Sequence, residues 1–210
     1  MTVSTVLLVS AMTAGCGEDS YSLTPKGEAA SAAPAPLRSS KAAPAAKEDL
    51  AFPSDLRVLY EAPSASGEGA PAVRAFRDVW RRWWYAVATE GQDTRYRDLL
   101  SKQPGSQNAV FERVVAGWAA EKVRPVGVIR AHDVQVYSAT GARVTLVACG
   151  DESRAGTKSV TTGQVSWSFG RRKASRYKMR IIMTLEGDRW RVYAYQASPG
   201  NHPAAKECQA

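Results

Sequence analysis

The sequence predicts an α+β domain in which N-terminal helices pack on a curved antiparallel sheet. Apolar residues recur at 3.6-residue spacing in the segments between Val73 and Trp118, and beyond Arg124-Pro125 the period drops to two. The helical segments come first and the alternating segments follow in hairpin order. That succession belongs to an α+β domain and not to an alternating α/β one.

Val73, Phe76, Trp80, Trp83, Trp84 and Val87 form one stripe, with Arg74, Arg77, Asp78, Arg81 and Arg82 opposite. The spacing predicts an amphipathic helix of about five turns, starting after the Gly67-Glu68-Gly69 loop and closing near Gly91. A short helix over residues 96–100 stops at Gln103-Pro104-Gly105, a strong breaker. A third helix begins after Ser106 with Val110, Phe111, Val114, Val115 and Trp118 as its buried stripe. Residues 126–137 then read as a strand with an irregularity at Ala131-His132-Asp133, and Ser138-Ala139-Thr140-Gly141 turns the chain into a strand at 143–149. Residues 150–163 read as a polar loop and 164–170 as an edge strand. Tyr177, Met179, Ile181, Met183 and Leu185 alternate, Glu186-Gly187-Asp188 makes a hairpin, and Trp190, Val192 and Ala194 alternate on the return.

The amino-terminal part is of another kind. An uncharged, mostly apolar run over residues 2–13 leads into Ala14-Gly15-Cys16. It is too short to span a bilayer and fits a signal-peptide apolar region. Thr13-Ala14-Gly15-Cys16 resembles the bacterial lipobox, whose cysteine receives diacylglycerol and becomes the first residue after cleavage. Thr13 stands where leucine is usual, and no basic residue precedes Lys26, so an upstream start is expected to supply the missing basic segment. From Gly17 to Leu50 the chain is rich in Ala, Pro and Ser, with Tyr21 its single aromatic, and cannot bury enough apolar surface to offset its ordering entropy. The expected organisation is a signal peptide over 1–15, a lipid-bearing Cys16 with a disordered spacer over 16–69, and a folded domain over 70–210. Of the 28 basic and 20 acidic residues, residues 1–50 hold 4 and 5, which leaves 24 and 15, or about +9, in the remainder.

The order of helices and sheet is similar to the nuclear transport factor 2-like superfamily. Gly127-Val128, Ala142-Arg143-Val144, Cys149-Gly150-Asp151-Glu152-Ser153, Thr162-Gly163 and Gly187-Asp188-Arg189-Trp190-Arg191-Val192, closed by Cys208, resemble actinobacterial secreted lipoproteins of that fold. The resemblance implies a lipid-anchored extracytoplasmic domain at the outer face of the cell membrane. With Cys16 acylated, Cys149 and Cys208 remain as an even pair in an oxidising compartment, and a bridge between them is expected. Members of this fold also resemble periplasmic scaffold subunits of secretion machines, which implies an envelope protein partner or self-association.

Members that act as isomerases or cyclases use an acid and a tyrosine inside the cone. The residues here that fit such a pocket are Trp80, Trp84, Tyr85, Asp133 and Tyr177, with Asp78 and Tyr137 as further candidates. None stands in a recognisable catalytic spacing, and aromatic residues at helical spacing read first as core. A small-molecule carrier or enzyme is therefore the alternative to a non-catalytic binding or assembly module. No catalytic residue, cofactor or metal site is assigned. Asp151 and Glu152 are adjacent carboxylates without the further oxygen ligands a hard cation needs. Arg171, Arg172, Lys173, Arg176 and Lys178, behind Trp167 and Phe169, form a basic cluster. Behind a lipobox its expected partners are anionic lipid headgroups or wall polymers and not nucleic acid.

Overall fold

In the computed structural model, which describes residues 50–62, 67–167 and 175–209, the change of period at Arg124-Pro125 falls where helices give way to strands. β1 (Leu56–Tyr60) precedes α1 (Ala70–Ala88), a 3-10 turn at Arg95–Leu99 and α2 (Val110–Ala120). β2 (Val123–Thr140), β3 (Arg143–Ser159), β4 (Val165–Ser166), β5 (Arg176–Glu186) and β6 (Arg189–Pro199) follow, and a 3-10 turn at Pro203–Gln209 closes the chain. α1 forms where the stripe predicts it, with Pro71 in the first turn, where a missing N–H leaves no bond unmade.

The strands lie in the order β1-β2-β3-β5-β6, with β4 also on β3. Among the described strands the pairings are antiparallel except that of β1 with β2, which is parallel from Leu56 opposite Gly127 to Tyr60 opposite Ala131, and isolated parallel bridges join Leu100 and Gln107 to β6. The sheet is therefore mixed, not wholly antiparallel. β1 lies within the stretch read as spacer, and because two helices separate it from β2 the chain returns in the same direction. A second correction concerns β3. It continues to Ser159 through residues expected to form a polar loop, because β2 supplies a backbone partner as far as Val123 opposite Ser159. The irregularity expected near His132 is present as a break in register between His132 and Gln135, with Asp133 at φ 51°.

The core lies between α1 and one face of the sheet. Trp80, Trp83 and Trp84, at 0%, 4% and 2% exposure, meet Leu146, Met179, Ile181, Met183 and Val192, each fully buried. The opposite face of β3 and β5 carries the C-terminal turn, where Ala205 and Cys208 are buried outside this main cluster. The free edge of β6 is capped by the chain itself, through Ser101 N–H to Val192 O and Gln107 N–H to Tyr193 O, both 2.8 Å.

Candidate functional site

Whether this fold has a usable interior depends on the indoles of α1. Trp83 packs at 4.7 Å from Phe111 and 6.0 Å from Tyr195, while Trp80 and Trp84 stand 5.8 Å apart, all edge-on. Two of the indole N–H groups are used structurally: Trp83 Nε1 donates to Phe111 O at 3.0 Å and Trp80 Nε1 to Leu59 O at 3.2 Å. Trp80 and Trp84, candidates for a pocket wall, are thus core. Tyr85 is half-buried and packs edge-on against Phe52 at 5.4 Å.

Tyr177 is the candidate that enters a polar arrangement. Alternation along β3 puts Leu146, Ala148, Gly150 and Glu152 on the helix-facing side. Gly150 sits opposite Tyr177 on β5. The Tyr177 hydroxyl donates to Glu152 Oε1 at 2.6 Å, and the Tyr195 hydroxyl couples to that of Tyr177. Glu152 is 7% exposed, and its burial, helped by the neighbouring Asp151 charge and opposed by the Tyr177 hydrogen bond, lifts its pKa to about 7. The same burial pushes both tyrosines up. The geometry needs a glycine at 150, since a Cβ there would lie 2.3 Å from Tyr177 Cε2. Gly150→Ala is expected to displace the ring and cost roughly 2 kcal/mol, as overpacking does. Thermal denaturation checks this, and an unchanged melting temperature would mean the ring yields freely.

Glu152 is the residue that reading the sequence as a loop misses. The available signal was that Val144, Leu146 and Ala148 continue at period two through Gly150 to Glu152, so a strand extended by about three residues aims this carboxyl inward. Its neighbour Asp151 faces the other way. There burial works to raise the Asp151 pKa, but the Ser153 backbone N–H at 2.8 Å, Arg176 at 3.5 Å and Arg130 at 3.3 Å outweigh it and hold the group ionised. The two carboxylates point to opposite faces and share no cation site.

On the outer face Cys149 is bonded to Cys208, with Cα atoms 5.5 Å apart. Lys178 is ion-paired with Glu207, and Arg176 Nη1 donates to Gln209 O at 3.2 Å, so these two members of the basic cluster hold the C-terminal turn against β5. Arg171, Arg172 and Lys173 lie outside the described residues, as does Cys16. A groove of about 210 Å³ beside the bridge is lined by Asp133, Gln135, Val147, Ala148, Cys149 and Glu207. Asp133 therefore stands on the outer face, bonded to His132 Nδ1 at 2.7 Å, and is not brought together with Tyr177. His132, Asp133 and Cys149 place donor atoms within 4.8 Å of one another, but the Cys149 sulfur is committed to the disulfide and offers no thiolate.

Helices on one face of a curved mixed sheet, a filled interior and a disulfide-pinned tail define an α+β cone. No family model matches the chain, and no curated protein matches it. Among solved structures the chain is similar to the intermembrane space region of the chloroplast protein ARC6, at 11% identity and a TM-score of 0.43, over 64% of this chain and 99% of that one. It is also similar to an NTF2-like protein from Cytophaga hutchinsonii, at 11% identity and a TM-score of 0.38, over 60% and 96% of the two chains. A protein from Catenulispora acidiphila is similar at 15% identity and a TM-score of 0.40, over 65% and 96%. At these identities and TM-scores the likenesses lend no residue a role.

Proposed function

We propose that this chain is a lipid-anchored, non-catalytic binding or assembly module at the outer face of the cell membrane, an actinobacterial kind of lipoprotein with a nuclear transport factor 2-like domain. The observation that carries the reading is the filled interior: with Trp80, Trp83 and Trp84 packed against the sheet, recognition falls to the outer surface. The Cys149–Cys208 bridge supports an oxidising compartment. Thr13-Ala14-Gly15-Cys16 supports the anchor, with residues 1–15 as signal peptide and the Ala/Pro/Ser-rich residues behind Cys16 as spacer. Partners proposed for the surface are an envelope protein or a second copy, together with anionic headgroups or wall polymers met by the basic cluster.

A second reading, a carrier or isomerase-like enzyme, is favoured by one observation, the Glu152–Tyr177–Tyr195 group, because an acid with a pKa near 7 suits proton transfer. It requires an entry for substrate that the indoles would have to open. Fatty-acid labelling in a bacterial host tests the first reading. The chain is expected to take up label and its Cys16→Ala variant to take up none; labelling that survives the substitution excludes the anchor.

A further inference from the structure

We infer that Val160, Val165 and Trp167 form the part of the outer face that enters an anionic bilayer surface. The three are large apolar side chains at 41%, 41% and 51% exposure, and they belong to one hairpin. Val165 pairs with Lys158 across β3 and β4, and Ser159 N–H donates to Gln164 O at 2.9 Å in the turn between them. Period-two alternation then places Val165 and Trp167 on one face with Lys158 and Gly156, and Val160 stands exposed in the turn just past the end of β3. That face is the outer one: between Arg130 opposite Asp151 and Val128 opposite Arg154 β3 carries an extra residue that reverses its alternation, so Ala155 is buried in the core while Arg154, Gly156 and Lys158 face outward.

Trp167 is seated and not merely dangling. A Cβ on Gly127 would lie 3.0 Å from its Cζ3, and one on Gly156 2.9 Å from its Cε3, so the indole rests on a shelf of two glycines with its remaining surface in solvent. An indole held this way sits where an amphipathic ring does at a membrane interface. The surrounding charge selects an anionic surface. Arg124 and Lys158 share the single carboxylate of Asp55, at 2.7 and 3.1 Å, and the exposed Arg154 lies on the same face two residues before Gly156. Three cations against one carboxylate leave the rim of the apolar patch positive, as lipid headgroups of negative charge require.

The inference rests on the membrane address proposed above. Its test uses the full chain carrying Cys16→Ser and Val160→Cys, so that, with the native Cys149 and Cys208 bridged, position 160 is the single free thiol for labelling. An environment-sensitive fluorophore at that position is expected to shift to the blue and to be quenched by nitroxide lipids in phosphatidylglycerol vesicles, and to do neither in phosphatidylcholine vesicles. Trp167→Ala, and separately Val165→Ser, which leaves the glycine shelf covered, are expected to weaken the response about tenfold. A water-exposed spectrum on anionic vesicles, equal quenching on neutral ones, or an unchanged response in both variants overturns the inference. Loss of the Cys16 anchor alone would leave the anionic response in place, so the two proposals fail separately.

Discussion

Replacing Cys149 and Cys208 together by serine is expected to lower folding stability by about 4 kcal/mol, the figure for closing a loop of this length in the unfolded chain. The bridge spans a sequence separation of 59 and encloses β5 and β6, so the reduced chain regains the freedom of nearly the whole second half of the sheet. The native side of the equilibrium changes less. Lys178 still meets Glu207, and Arg176 and Gln209 still exchange hydrogen bonds, so the C-terminal turn retains polar contacts to β5. Ala205 and Cys208, both buried, depend on the turn staying docked. Guanidinium unfolding of the double variant, compared with the oxidised parent, measures the difference. Reduction of the parent is expected to give the same loss. A variant that unfolds at the parent midpoint would show that the bridge only decorates a tail already held by its ion pairs.

The helices are legible in the sequence because α1 separates its two faces without ambiguity: six large apolar residues on one, arginines on the other. β5 is legible for the same reason in period two, and β6 as far as Val192; the turn at Glu186-Gly187-Asp188 sets their register up to Met183 opposite Val192, beyond which an extra residue at Tyr193 turns Tyr195, and not the expected Ala194, to the core. β1 is not legible, because Leu56, Val58 and Tyr60 amount to three apolar positions in a short segment, and what makes them a strand is a partner about 70 residues further on. The far half of β3 is hidden differently. Asp151, Ser153, Thr157 and Lys158 read as loop, yet Asp151, Thr157 and Lys158 pair with β2, the Ser153 N–H donates to Asp151 Oδ1, and the Asp151 and Lys158 side chains find Arg130 and Asp55. The candidate site inherits that difficulty. Tyr177 is identifiable as inward-facing, but its partner sits in the misread stretch, and only the pairing of Gly150 with Tyr177 brings the hydroxyl to Glu152. Asp133 has the opposite history: an attractive acid in the sequence, it is carried by the β2 irregularity to the outer face.

Glu152→Gln is expected to stabilise the protein by about 3 kcal/mol at pH 8 and to change little at pH 4. The folded carboxyl has a pKa of about 7, against 4.5 as its ordinary value. Between those limits the native state holds a proton that the unfolded chain has released, so stability falls as pH rises and the loss is complete above the folded pKa. Below pH 4.5 both states are protonated and the group contributes nothing to the pH dependence. Glutamine has the shape of the protonated acid and keeps an oxygen for the Tyr177 hydroxyl, so it removes the ionisation without emptying the site. Asp55, Asp93 and Asp151 have the reverse sign. Their pKa values are held down, with arginine partners at each, so what they contribute is present at neutral pH and lost as acid protonates them. The two effects therefore separate on the pH axis, and denaturant midpoints of parent and variant should coincide at low pH and diverge progressively from pH 5 to 8. Parallel curves across that range would mean that Glu152 ionises as an ordinary surface carboxyl, and the proton-transfer reading of the Glu152–Tyr177–Tyr195 group would go with it.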